Sequence, residues 1–126
     1  PACNPWRLFR QAAYSPQDAR IRRAMALMRE HVGSGMEMGK VAAHCGLSRA
    51  HFFELFRRTT HMTPAIFTNA LRMEAAFDRL AGAPEPIAGI AGRLGFSAPG
   101  HFTRFFRGHI GVTPRAYRQA VIAAPQ

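Results

Sequence analysis

The stretch G-L-S-R-A-H-F-F-E-L-F, from Gly46 to Phe56, returns forty-nine positions later as G-F-S-A-P-G-H-F-T-R-F-F, from Gly95 to Phe106. A chain that carries one pattern twice builds one local unit twice, so the repeat narrows the possible folds more than any other feature. Met38, Val41, Ala42, Gly46, Leu47 and Ser48 match Ile87, Ile90, Ala91, Gly95, Phe96 and Ser97 at a constant offset of 49. One extra residue follows the serine in the second copy. From there His51, Phe52, Phe56, Thr63, Pro64 and Phe67 match His101, Phe102, Phe106, Thr113, Pro114 and Tyr117 at an offset of 50. Each copy reads as a short helix, a glycine placed for a left-handed turn, and a second helix opened by a serine: a helix-turn-helix.

The flanking segments are helical too. Ser15-Pro16-Gln17-Asp18 offers a cap, an N1 proline and an N3 acid. Ile21, Met25, Met28 and Val32 follow at helical spacing, predicting an amphipathic first helix that ends near Gly33. The second helix spans Met38 to Cys45. In the third, Phe52, Leu55, Phe56 and Thr59 share the face to be buried, while Arg49, Ala50, Phe53, Glu54 and Arg57 share the exposed one. Thr63-Pro64 opens a long helix to about Leu80, roughly 26 Å long, with Phe67, Leu71, Ala76 and Leu80 turned inward. Gly82 to Pro86 breaks it, the second copy begins at Ile87, and Thr113-Pro114 opens a last short helix. No strand-like alternation of useful length occurs, so the fold class is all-α. Residues 1–14 read as a linker or the tail of a preceding domain, 15–62 as a first helix-turn-helix subdomain, 63–81 as a linker helix and 82–126 as a second subdomain.

Charge points to the partner. Seventeen Lys plus Arg against seven Asp plus Glu give a formal charge of +10 on 126 residues, a strong field for a polyanion. Nearly all of it is arginine, with Lys40 the one lysine, and guanidinium suits bidentate contact with phosphate and guanine. An acidic membrane surface would attract the same charge, but no apolar run is long enough to span a bilayer and no signal-peptide pattern is present, so the reading is a cytoplasmic protein without a membrane partner. Packing alone would give no reason for Arg49, Arg57 and Arg58 on one candidate recognition helix and Arg104 and Arg107 on the other. Arginine on both favours double-stranded DNA.

Catalysis finds no support: there is no Gly-rich phosphate loop, no nucleophile elbow and no carboxylate pair placed for acid/base work. His44-Cys45 does not make a metal site, because adjacent residues on a short helix point apart and no further ligands complete a set. Cys3 and Cys45 are too few for a disulfide framework, and no cofactor is implied. The methionines Met25, Met28, Met36, Met38 and Met73 read as core filling. His51 and His101, each beside a core phenylalanine, fit either a DNA contact or a local hydrogen bond.

The spacing I-x-x-I-A-x-x-L-G-F-S-x-x-x-H-F-T-R-x-F-R-x-x-x-G-V-T-P-R-x-Y-R, from Ile87 to Arg118, resembles the signature of the AraC/XylS family of bacterial transcription regulators. The upstream copy resembles that family's first helix-turn-helix, so the likeness covers about Pro16 to Gln119. It implies a seven-helix domain in which a long linker helix holds two helix-turn-helix subdomains, with recognition helices entering adjacent major grooves of an asymmetric site. It also implies a transcription regulator, more often an activator, with RNA polymerase as a second partner and an effector-sensing domain ahead of residues 1–14. A module that meets polymerase without reading DNA is the competing class.

The resemblance puts base-facing positions of the first helix at Ala50, Phe53 and Glu54, with Arg49 and Arg57 at the backbone or groove edge. Ala50 and Phe53 can touch a thymine methyl, and Glu54 can accept from a cytosine amino group or pair with Arg57 or Arg58 one turn on. The matching positions of the second helix are Pro99, Gly100, Thr103 and Arg104, of which Arg104 is the strongest candidate for reading guanine. Lys40, Arg57, Arg58, Thr103 and Arg107 are candidates for phosphate, together with the amides at the helix starts near Ser48 and Ser97. Each arginine can equally be a solvated surface charge.

Overall fold

Seven helices occur among the described residues of the computed structural model, which are 18–82 and 84–123. The first, α1 (Ala19–Glu30), begins one turn later than the sequence suggests: Asp18 is its N-cap rather than an acid inside its first turn. An aspartate with extended backbone can accept from the orphan amides, and Asp18 Oδ1 takes the Arg20 N–H at 2.9 Å. Ser15, Pro16 and residues 1–14 lie outside the described residues. At the other end His31 closes the helix with its backbone N–H and ring Nδ1, both donating to Leu27 O.

The first repeat forms α2 (Met38–His44) and α3 (Arg49–Thr60). Gly46 between them has φ 74°, which costs a glycine little. The second repeat forms α5 (Ile87–Arg93) and α6 (Pro99–Ile110), with Gly95 at φ 86° in the matching place. Even the turn hydrogen bonds repeat, Leu47 N–H to Ala42 O and Phe96 N–H to Ala91 O, both at 3.0 Å. Between the copies runs α4 (Pro64–Ala81), 18 residues or roughly 27 Å, capped by Thr63 Oγ1 with Pro64 at its start. The last helix, α7 (Pro114–Ala123), repeats that start with Thr113 and Pro114.

Two apolar clusters share α4. Phe67 and Leu71, in its N-terminal half, close the cluster of Ile21, Met25, Val41, Phe52 and Phe56. Met73, Ala76, Phe77 and Leu80, in its C-terminal half, close the cluster of Ile90, Phe102 and Phe106. Ring geometry repeats along with the sequence: Phe52–Phe56 and Phe102–Phe106 centroids lie 5.6 and 5.9 Å apart, and Phe56–Phe67 and Phe106–Tyr117 lie 5.8 and 5.7 Å apart. Tyr117 thus plays in the second cluster the part of Phe67 in the first, and burial pushes its phenol pKa up. Fully burying a phenylalanine side chain stabilises by about 1.5–3 kcal/mol, and Phe52, Phe56, Phe67, Phe102 and Phe106 are all buried.

Two expectations change on α3. The buried threonine is Thr60 rather than Thr59, because Phe52, Phe56 and Thr60 continue the four-residue step along the core face. Its hydroxyl donates to Phe56 O at 2.7 Å and accepts from Met62 N–H, which removes the cost of burying it. Phe53, expected to be exposed, is half-buried: its ring packs edge-on to Phe52 at 5.8 Å.

The halves also meet backbone to backbone. A Cβ on Gly33, in the α1–α2 loop, would fall 2.1 Å from Arg93 O, and one on Gly95 would fall 3.1 Å from Gly33 O. Only glycine permits this approach. Val32, beside it, packs against both apolar clusters. Arg118 adds a tie within the second half, its guanidinium donating to Leu80 O and Glu85 O and so fixing α7 to the end of α4.

Candidate nucleic-acid interface

In the first unit the recognition helix α3 starts at a formed cap, Ser48 Oγ accepting the His51 N–H at 3.1 Å. The next exposed turns carry Arg49, Ala50, Glu54, Arg57 and Arg58, with Lys40 exposed on the first turn of α2. Arg49 is not a free arm. Its guanidinium lies 4.7 Å from the centroid of the Phe53 ring, and its Nε lies 3.7 Å from Glu37 Oε1. Arg49 and Phe53 therefore present one joint face, half cation and half ring. Glu54 pairs with Arg58 at 3.3 Å, one of the two arrangements open to it from the sequence. Both side chains are about two-thirds exposed, so the pair is worth only about 0.3–0.5 kcal/mol and opens readily for another partner.

In the second unit the extra residue moves the cap. The N-cap of α6 is Ala98, which has extended backbone but no acceptor, and Pro99 takes the N1 position. Ser97, expected to open this helix as Ser48 opens α3, lies one residue too early for the role. Its hydroxyl meets His101 Nδ1 instead, at 2.8 Å, which gives His101 a local hydrogen bond. Proline lacks an N–H, so it leaves one orphan donor fewer to satisfy. Pro99, Gly100, Arg104 and Arg107 are exposed, and Thr103 is half-buried. A Cβ on Gly100 would stand 3.8 Å from Arg104 Nη1, so the guanidinium of Arg104 lies back along the helix over the bare backbone of Gly100.

Charge pairing divides the candidate cations, and Arg23 and Arg115 outside them also lack an ion-pair partner among the described residues. Acidic groups engage Arg20 (Asp18), Arg49 (Glu37), Arg58 (Glu54), and Arg79 and Arg93 together (Glu85). Lys40, Arg57, Arg104 and Arg107 have no ion-pair partner among the described residues. Four of the predicted contacts thus keep their whole charge available on the two reading units. Such unneutralised cations release counterions when they meet phosphate, which drives binding.

The sequence did not reveal the groups that hold the units together. Arg72 of α4 lies 5.2 Å over the ring of Phe96 in the second turn, where the first copy has the buried Leu47. A larger, flatter residue at a repeated position was the available signal. Gly33 read as an ordinary helix end. Arg118 stood in the quoted motif, but spacing alone does not say that it grips carbonyls.

A family model described as a helix-turn-helix domain matches residues 41–120, from within α2 of the first copy through the second copy into α7. The chain belongs to the AraC family. Among curated relatives of this AraC-family domain, the regulatory protein PocR of Salmonella typhimurium is 33% identical over 85% of this chain and 35% of its own length. The transcriptional activator RhaR of Yersinia pseudotuberculosis serotype O:3 is 29% identical over 91% of this chain and 40% of its own length. The chain therefore spans well under half the length of these relatives. The DNA-binding domain of AdpA, solved in complex with a target DNA, superposes with a TM-score of 0.77 at 28% identity, covering 84% of this chain and 96% of that one. Among the described residues, no helix is long and apolar enough to cross a membrane.

Proposed function

We propose that this AraC-family domain reads double-stranded DNA in the cytoplasm as part of a transcription regulator, placing α3 and α6 in successive major grooves of an asymmetric site. The observation that carries the reading is the set of cations without an ion-pair partner on both helix-turn-helix units, Lys40 of α2 and Arg57 of α3 in one and Arg104 and Arg107 of α6 in the other, the units being joined by one continuous helix. Major grooves recur about every 34 Å along one face, and a linker of roughly 27 Å with the flanking helix widths spans that repeat. The two heads differ in residue type, so their half-sites differ. Arg104 reads guanine through O6 and N7, Ala50 and the Arg49–Phe53 face meet thymine methyls, and Glu54, once released from Arg58, accepts from cytosine. Arg57, Arg107, Lys40, Thr103 and the amides near Ser48 and Ser97 hold phosphate. Activation through contact with RNA polymerase, under an effector-sensing domain joined through residues 1–14, is the regulatory setting that fits; RhaR is named as an activator.

Selection of duplexes from a randomised library at moderate salt tests this. Two enriched blocks about one helical turn apart are the expected outcome. Arg104→Ala should then weaken the selected site by about 1–3 kcal/mol while leaving random DNA nearly unchanged. Equal losses on both would make Arg104 a phosphate contact. Absence of enrichment at any salt would overturn DNA reading and leave the polymerase-binding module.

A further inference from the structure

The α1–α2 loop belongs to the first unit and touches the second. Val32, Met36 and Met38 pack on the first cluster, the His31 N–H and Nδ1 donate to Leu27 O, and the Ser34 N–H and hydroxyl donate to His31 O. These bonds make the loop an extension of α1. Its Val32 and Gly33 nevertheless meet the second unit where α5 ends. A Cβ on Gly33 would stand 2.1 Å from Arg93 O, and one on Gly95 would stand 3.1 Å from Gly33 O and 3.7 Å from Val32 O. Val32 also packs on the second cluster. Gly33 is not among the glycines with positive φ, so the contact itself, not the backbone conformation, excludes a side chain there. Arg93 is in turn tied to α4, because Glu85 meets both Arg93 and Arg79. Shared burial on α4 fixes how far apart the two heads stand. A contact away from α4 resists the turning of one unit about it.

We propose that Val32 and Gly33 fix the rotation of the second reading head about α4 and thereby select the number of base pairs between the two half-sites. Gly33 is a positioning residue that acts without touching DNA. The rotational lock stands on the protein contacts, and its effect on spacing rests on the DNA-reading proposal. One base pair more or fewer moves a half-site by about 3.4 Å along the duplex and turns it by about 34–36°. Locked heads can follow only by deforming the DNA or by breaking their own contact, so they discriminate between spacings, whereas loosened heads tolerate them. A methyl carbon placed 2.1 Å from Arg93 O must drive the loop and α5 apart, since even close C–H···O contacts have C···O separations of about 3.3–3.6 Å.

Residual dipolar couplings of the backbone amides, measured on the DNA-free chain, read the lock directly. The angle they give between α3 and α6 should be single-valued and the same in the parent and in Gly35→Ala. Gly35 is the control because it lies in the same loop at φ 68°, so alanine strains it, but its Cβ meets open space. In Gly33→Ala the angle should change, or the two units should need separate alignment tensors. Val32→Ala removes the side chain that packs on both clusters without adding a clash, should show the same effect more weakly, and serves if Gly33→Ala fails to fold. An unchanged angle with one tensor in these two variants, or an equal change in Gly35→Ala, overturns the lock. Binding to the selected site with one base pair inserted or removed between its blocks then reads spacing. The parent and Gly35→Ala should lose at least about tenfold for either change, and Gly33→Ala only about threefold, with the preference for the block sequences kept. A parent that tolerates the insertion, or an undiminished spacing penalty beside a changed angle, overturns the spacing role alone. No DNA binding in any condition, beside a changed angle in Gly33→Ala, refutes the DNA-reading proposal and leaves the lock standing.

Discussion

The two helix-turn-helix units agree in their cores and part on their surfaces. Ring pairs Phe52–Phe56 and Phe102–Phe106 have nearly the same separation, and the turns carry the same hydrogen bonds. On the exposed faces His51 and Arg57 return as His101 and Arg107, but the starts differ: α3 has a serine cap and an arginine engaged by Phe53 and Glu37, while α6 has an alanine N-cap without an acceptor, a proline start and Arg104 over a glycine. Packing tolerates only a few solutions at each buried position, whereas a solvated face is free to change. The difference shows that the two units hold their packing in common while their exposed faces diverge.

The largest test strikes at the shared part. Phe56→Ala and Phe106→Ala, both at fully buried positions, should each cost about 3–5 kcal/mol, read by urea denaturation. Because α4 closes both clusters, each variant should still unfold in one transition. Two transitions would show that the halves are separately cooperative and would break the picture of one domain with two heads.

Next come the two turn glycines. Gly46→Ala meets open space and should cost only about 1–2 kcal/mol, for placing an alanine at positive φ. Gly95→Ala bears that cost and also crowds Gly33 O, which should add about 1–3 kcal/mol. Equal losses would mean that the contact between the halves yields freely.

Caps give a smaller contrast. Ser48→Ala should destabilise by about 1 kcal/mol, and Ala98→Ser, at a position with suitable extended backbone, should stabilise by a similar or smaller amount. Thermal unfolding of the pair reads the difference. Failure of Ala98→Ser to stabilise would mean that Pro99 already satisfies the start of α6.

The smallest effect is one of pH. The hydrogen bond from the Arg20 side chain holds the Asp18 pKa below its ordinary value. Its capping contribution is therefore complete above the usual carboxylate range and fades as pH falls through the lowered value. Asp18→Asn should flatten that part of the acid-unfolding curve. The cap of α3 contains no titrating group and should show no such dependence.

Much of this was legible in the sequence. The helices from Met38 onward, except the start of α6 where Ala98 and not Ser97 is the N-cap, both glycine turns and the inward residues of α4 follow from periodicity and from chemistry that only a few residue types can supply. Asp18, Thr60 and Phe53 were misplaced because several neighbours fit the same local rule, and the packing partner chooses among them. At the candidate interface, residue types gave the list of cations. Which of them are paired depends on how neighbouring elements fold together, as when Glu37 before α2 reaches Arg49 of α3.

The single residue inserted after Ser97 also governs how these heads could be exchanged. A graft of the first reading surface onto the second that aligned the two serines would set every transplanted side chain one residue out of register. On a helix of about 3.6 residues per turn this rotates the surface by about 100°. The arginines meant for the groove would then face the side or the core, and a folded chimera could lose its recognition without losing its shape. Junctions placed at Ala98 keep the register, so the boundary of the interchangeable part lies at the cap and not at the repeated motif.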